Sequence, residues 1–133
     1  MLIKVTDGRL GDTESFPTPD GVTAVYASRV RTLVDAVYDW SRFNGIPRGY
    51  EWIRQELKTG RIKVEELVRC TLCYSDTGTI RRMGALLERE GVAEAQLRKL
   101  EQVLKPTSSP IPWLPSAPKR GPISLRWGVV END

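Results

Sequence analysis

The sequence predicts an α+β fold: about five helices packed on a small, mainly antiparallel sheet formed by N- and C-terminal strands. Two patterns and the break between them carry this reading. Apolar residues recur at helical spacing in successive segments from Val30 to Leu104. Over 123–130 the period shortens to two, and a Pro-rich stretch, 105–122, separates the two regimes. With 133 residues, 40% of them hydrophobic and 28% charged, the chain can bury one core and lacks the composition of a disordered protein. Residues 1–133 are therefore expected to form a single domain.

In order, Met1–Thr6 contains Leu2, Ile3 and Val5 and is a short strand candidate, and 7–21 is a loop rich in Gly, Pro, Asp and Thr. Val22–Ala27 alternates Val22/Ala24/Tyr26 against Thr23/Val25/Ala27, which predicts a strand. Ser28 is placed to cap a first helix whose stripe is Val30, Leu33, Val34, Val37 and Tyr38, ending near Trp40. After a turn at Asn44-Gly45, Pro47 suits the first position of a second helix with Tyr50, Ile53 and Leu57 inward and Gly60 past its end. A third helix carries Val64, Leu67, Val68, Thr71 and Leu72. A fourth starts after Asp76 and ends at Gly91, with Ile80, Met83, Gly84 and Leu87 on one stripe. A fifth runs from about Ala93 to Leu104, with Leu97, Leu100 and Leu104 inward.

The segment 105–133 supplies the closing strands. Pro112, inside the apolar island Ile111-Pro112-Trp113-Leu114, confines any strand there to a sheet edge. Ile123, Leu125, Trp127 and Val129 then alternate with Ser124, Arg126, Gly128 and Val130. An isolated hairpin is marginal in water, so strands from the two ends of the chain are expected to meet. The expected core is Val30, Leu33, Val34, Val37, Ile53, Leu57, Leu67, Val68, Ile80, Met83, Leu87, Leu100, Leu125 and Trp127.

The chain contains no histidine, which removes the commonest general base and transition-metal ligand and rules out a Ser-His or Cys-His nucleophile pair within it. Cys70 and Cys73 form C-T-L-C, but two cysteines without histidine cannot close a structural zinc site. Both fall well inside a predicted helix rather than at its N-terminus, where a redox pair belongs, so they are read as reduced, partly buried helical residues. Arg31, Asp35 and Asp39 stand at i, i+4 and i+8 opposite the apolar stripe. They are read as an ion-pair ladder worth about 0.3–0.5 kcal/mol per pair where exposed, not as catalytic carboxylates. No enzyme activity, metal or cofactor is expected. No apolar run approaches the ~20 residues of a membrane span, and Met1 is followed by no signal-peptide pattern, so no membrane association and a cytoplasmic location are expected.

A net charge of +3 is compatible with an acidic partner or nucleic acid. Two clusters give the excess a location. Residues 63–91 have the form of a helix-turn-helix: a helix, the turn S-D-T-G, then a helix whose Thr79, Arg81 and Arg82 would reach phosphates and base edges in a major groove. Mid-helix Gly84 points the other way, toward close packing against a neighbour. Lys119, Arg120 and Arg126 form a second basic patch with no acidic residue until Glu131. Trp113 and Trp127 are near it in sequence, as stacking platforms or as core; the alternation favours core for Trp127.

T-G-T-I-R-R-M-G-A-L-L-E-R-E-G (77–91), R-G-P-I-S-L-R-W-G-V-V-E-N (120–132) and G-V-T-A-V-Y-A-S-R-V-R-T-L-V-D-A (21–36) together resemble the C-terminal antitoxin region of the AbiEi family, from abortive-infection (type IV) toxin–antitoxin systems of phage defence. Positions similar to the family's pattern are Arg31, Thr32, Leu33 and Asp35 in the first helix and Arg82, Gly84, Leu86, Leu87 and Glu88 in the fourth. The ending from Ile111 through Gly121 to Trp127 and Asn132 resembles the family's closing strands. The resemblance implies a non-catalytic domain that neutralises a cognate nucleotidyltransferase-type toxin. Full-length members carry an N-terminal winged-helix domain that binds the operon's promoter; nothing before residue 21 could hold it, so either the antitoxin region alone or a naturally truncated relative is expected. The binding surface, for toxin or nucleic acid, is expected at Arg81, Arg82, Lys119, Arg120 and Arg126. The alternative function is a DNA-binding regulator that uses the segment around 63–91.

Overall fold

In the computed structural model, which describes residues 22–43 and 45–133, the apolar stripes become five α-helices and the C-terminal segment becomes three very short strands. The helices are α1 (Val22–Tyr38), α2 (Ile46–Lys58), α3 (Val64–Tyr74), α4 (Thr77–Arg89) and α5 (Glu94–Glu101), with a short 3-10 helix at Trp40–Phe43. The strands are β1 (Ile111–Pro112), β2 (Ile123–Ser124) and β3 (Val129–Val130). The α+β class holds.

Local chemistry sets the helix ends. Pro47 lies in the first turn of α2, where its missing N–H costs nothing. The Asp76 carboxylate caps α4 by accepting from the Thr79 N–H at 2.8 Å. Central to the packing is α1, which meets α2, α3 and α4 through Val30, Leu33, Val34 and Val37, all buried. Gly49 lets α2 approach α1 closely: a Cβ there would sit 2.8 Å from the Ala36 carbonyl oxygen.

Three expectations are corrected. Val22–Ala27 is not a strand but the opening of α1. Its alternation had apolar residues in both phases, so the period discriminated nothing, and two alanines favour helix. The candidate strand at Met1–Thr6 lies outside the described residues. Among the described residues the sheet therefore draws on the C-terminal segment alone. It is mixed: in the order β1-β3-β2, β1 runs parallel to β3 and β2 antiparallel to it.

The third correction concerns 123–130, which is not one strand but a hairpin. The chain reverses across 125–128, where the Gly128 N–H donates to the Ser124 carbonyl at 2.8 Å and Gly128 adopts a φ of 66°. This left-handed conformation is costly for other residues. Leu125 consequently sits at the turn with 91% of its surface exposed, outside the core in which the alternation had placed it. Leu57 is only partly buried. Trp127 is fully buried, and with Trp113 it is among the largest buried side chains. Both tryptophans come from the short-stranded segment, so this segment completes the core that the helices begin.

Pro112 occupies an edge strand, as its missing N–H requires. The N–H groups on either side of it, from Ile111 and Trp113, donate inward to Gly128 and Val130 carbonyls at 3.0 and 2.9 Å.

Candidate functional site

Three residues at i, i+3 and i+7 on α4 hold the closing hairpin. Gly84 is the middle one. Any side chain there would overlap the indole of Trp127, so the absent Cβ is what admits the ring. One turn earlier, Arg81 donates from Nη1 to the Trp127 carbonyl at 3.0 Å and from Nη2 to the Lys105 carbonyl at 2.9 Å. One turn later, Glu88 accepts from the Trp127 indole N–H at 3.1 Å. Gly128 completes the joint: a Cβ on it would stand 2.5 Å from Arg81 Nη1.

Arg126 stacks over the Trp127 ring at 5.0 Å and gathers three carboxylates. It bonds Glu88 at 2.8 Å, Glu101 at 3.1 Å, and Glu94. Hydrogen bonding to Glu94 first, then to Glu88 and Glu101, holds its guanidinium pKa above the ordinary value. α4, α5 and the hairpin are thus tied by one cation.

Arg82 is half-buried and donates from Nε to the Pro112 carbonyl at 3.0 Å. Burial pulls its pKa down, while Tyr50 and Asp76 act in the opposite direction. Nearby, Trp113 is sandwiched between the Tyr50 ring, stacked at 3.8 Å between centroids, and the Arg89 guanidinium at 4.1 Å. The Tyr50 hydroxyl donates to the Trp113 carbonyl at 2.8 Å, and burial raises its pKa above the usual phenol value despite Arg82 and Arg89. Arg89 is anchored by Asp133 at 2.9 Å.

Of the five cations expected to form a binding surface, the structure brings Arg81 and Arg126 together around Trp127 and places Arg82 against β1. All three spend hydrogen bonds on their own chain. Thr79 is buried as well, so α4 does not present the Thr79–Arg81–Arg82 set that a groove-reading helix would need. Lys119 and Arg120 are exposed on the β1–β2 loop, with no side-chain partner among the described residues.

Asn132, singled out only as part of the ending that carries the resemblance, has a structural role that sequence reasoning missed, since no periodicity marks it. Its Oδ1 accepts from the Leu114 N–H at 2.7 Å, and its Nδ2 donates to the carbonyls of Leu114, Pro118 and Ala117 at 2.9, 3.1 and 3.4 Å. It clamps the loop that carries Lys119 and Arg120.

Elsewhere, Arg31 and Asp35 form a buried pair at 3.7 Å, with Arg31 also 4.4 Å over the Tyr74 ring. Asp39 turns instead to Arg42 at 3.2 Å. The two aspartates thus serve separate ion pairs. Cys70 and Cys73 lie within α3 outside any disulfide, the first buried and the second exposed. A depression of about 550 Å³ on α2 is lined by Arg48, Glu51, Trp52 and Gln55 and contains a single carboxylate. Among the described residues, no cluster of three His, Cys, Asp or Glu side chains could hold a metal ion, and no helix is long and apolar enough to cross a membrane.

No protein family, curated protein or solved structure matches this chain.

Proposed function

We propose that this domain is a non-catalytic, antitoxin-like binding module that neutralises a nucleotidyltransferase-type toxin. One observation carries the reading: the two segments on which the AbiEi resemblance chiefly rests, 77–91 and 120–132, lock onto each other through Arg81, Gly84, Glu88, Arg126 and Trp127. Three of these, Gly84, Glu88 and Trp127, belong to the matching pattern, so residues of that pattern help to fix the geometry of the closing hairpin. A likeness confined to surface residues would carry less weight, because surface positions do not constrain a fold.

The domain works by binding, with Lys119 and Arg120 among the exposed cations available as charged contacts. The alternative, a DNA-binding regulator that inserts α4 into a groove, loses support because Arg81 and Arg82 are committed to internal carbonyls.

Co-expression with a nucleotidyltransferase encoded beside its gene tests the reading. Growth should be restored by the wild-type domain. Undiminished toxicity alongside a folded, soluble domain would overturn it. A gel-shift with the promoter upstream of its own gene at low salt, where phosphate contacts are strongest, should give no complex.

A further inference from the structure

We propose that strand β2, one edge of the small sheet, is a self-pairing surface: two copies of this chain join antiparallel across it, centred on Ile123, and form a symmetric dimer. This inference does not depend on the antitoxin-like reading.

Backbone direction opens the edge. β2 bonds β3 through the residues on either side of Ile123. The Pro122 carbonyl accepts from the Glu131 N–H and the Ser124 carbonyl from the Gly128 N–H, both at 2.8 Å. In an antiparallel ladder the residue between two such positions turns its own N–H and carbonyl away from the partner strand. In the order β1-β3-β2, Ile123 therefore presents one donor and one acceptor on the outside of the sheet, and no described residue bonds them. At the opposite edge, β1 lacks an outward donor at Pro112.

Apolar side chains on the same edge are uncovered. Ile123 is 51% exposed and Leu125, at the start of the hairpin turn, is 91% exposed. Covering them removes apolar surface from water. The hairpin that carries them is already fixed by the Arg81 bond to the Trp127 carbonyl, the Gly84 slot and the Arg126 ion pairs. Pairing therefore needs no prior ordering of the chain.

Three features select a second copy as the occupant. A donor and an acceptor on one residue are self-complementary: about a two-fold axis at Ile123, each N–H donates to the carbonyl of Ile123 in the other copy. That register sets Leu125 against Gly121 of the other copy, where no side chain competes for the space. Charge agrees with the same orientation. The stretch before Ile123 carries Lys119 and Arg120, whereas Arg126 after it is outnumbered by the carboxylates of Glu88, Glu94 and Glu101. Antiparallel pairing lays each cationic end over the acidic end of the other copy; parallel pairing would lay like on like. Because both copies use the same edge, the assembly closes at two.

Sedimentation velocity of the purified chain over a concentration series tests this. The contact is small, so the expected dissociation constant is on the order of 100 μM, with dimers and no larger species. Leu125→Asp, at a residue already in solvent, should leave the circular dichroism spectrum unchanged and weaken dimerisation at least about 10-fold. Ile123→Pro removes the outward donor at an edge position, where proline is tolerated, and should weaken it to a similar degree, about 10-fold. The Ile123 amide of the wild type should exchange its hydrogen more slowly as concentration rises. A wild type still monomeric at about 1 mM overturns the proposal. So does a dimer that Leu125→Asp and Ile123→Pro both leave unchanged, since the contact then lies elsewhere. Protection of the Ile123 amide only in the presence of a different protein would assign the edge to that protein and overturn the proposal as well.

Discussion

Arg81, Arg82 and Arg126 lie on or against α4, and each is met by acceptors from its own chain. Lys119 and Arg120 stand on a loop of the same small domain and meet none among the described residues. Sequence position does not separate the two sets, because Arg126 follows Arg120 by only six residues. The surroundings separate them. At α4 the helix ends, a buried tryptophan and a hairpin too short to satisfy itself create orphan carbonyls that Arg81 and Arg82 reach, while Arg126 meets the carboxylates of Glu88, Glu94 and Glu101. Around the loop, Asn132 satisfies the backbone instead, and the cations are left over. A basic residue in a small domain is thus structural where unpaired carbonyls or carboxylates of its own chain face it, and becomes available for partners where they do not.

The contrast breaks most readily at its centre. Gly84→Val drives a side chain into the Trp127 ring and should cost about 3 kcal/mol or more through overpacking. Urea denaturation would read this directly, and a wild-type midpoint would mean that the indole does not occupy the slot. Arg81→Met keeps most of the side-chain volume but leaves the Trp127 and Lys105 carbonyls without their donor, for an expected loss of about 2–4 kcal/mol. If Arg81→Met were as mild as a loop substitution, the division between the two sets of cations would not stand.

A smaller effect comes from Tyr50. Its folded-state pKa is raised, by burial first, above the unfolded value of about 10. The neutral phenol therefore contributes stability that is complete below about pH 10 and is lost as pH rises through the folded pKa. Wild-type stability should fall between about pH 9 and pH 11 more steeply than that of Tyr50→Phe, in unfolding titrations at matched ionic strength. Parallel curves would show that Tyr50 titrates normally. The smallest effect belongs to the loop: Lys119→Glu/Arg120→Glu should shift unfolding stability by no more than about 0.5 kcal/mol, and a larger loss would reveal a structural role for these cations.

Helix periodicity made α2 to α5 legible, because each helix buries one stripe and its ends carry local signals such as Pro47 and Asp76. The amino-terminal half of α1 was not legible, since a run apolar in both phases fits either period. The hairpin was hidden for a related reason. Alternation across a tight turn looks like one strand, and only Gly128 marked the reversal. The role of Gly84 was visible as a small residue on an otherwise bulky stripe, but its partner, Trp127, lies more than forty residues away. Arg81 and Glu88 could have been grouped with Gly84 by their i, i+3, i+7 spacing. Its charge assigned Arg81 to a binding surface instead, because sequence does not show which carbonyls will be orphaned, and Glu88 was given no packing role.

The outer rim of the sheet has a further property. Along β1 the inward N–H groups are those of Ile111 and Trp113, already bonded to β3. Between them, where a donor would face outward, stands Pro112, which has no N–H, and its carbonyl is taken by the Arg82 Nε. Another chain sliding alongside finds neither a donor nor a vacant acceptor at that residue, so the pairing that would let sheets stack edge to edge into aggregates has nothing there to start from. A guanidinium first noted as a possible ligand contact therefore acts, with its neighbouring proline, as a seal against self-association at this edge.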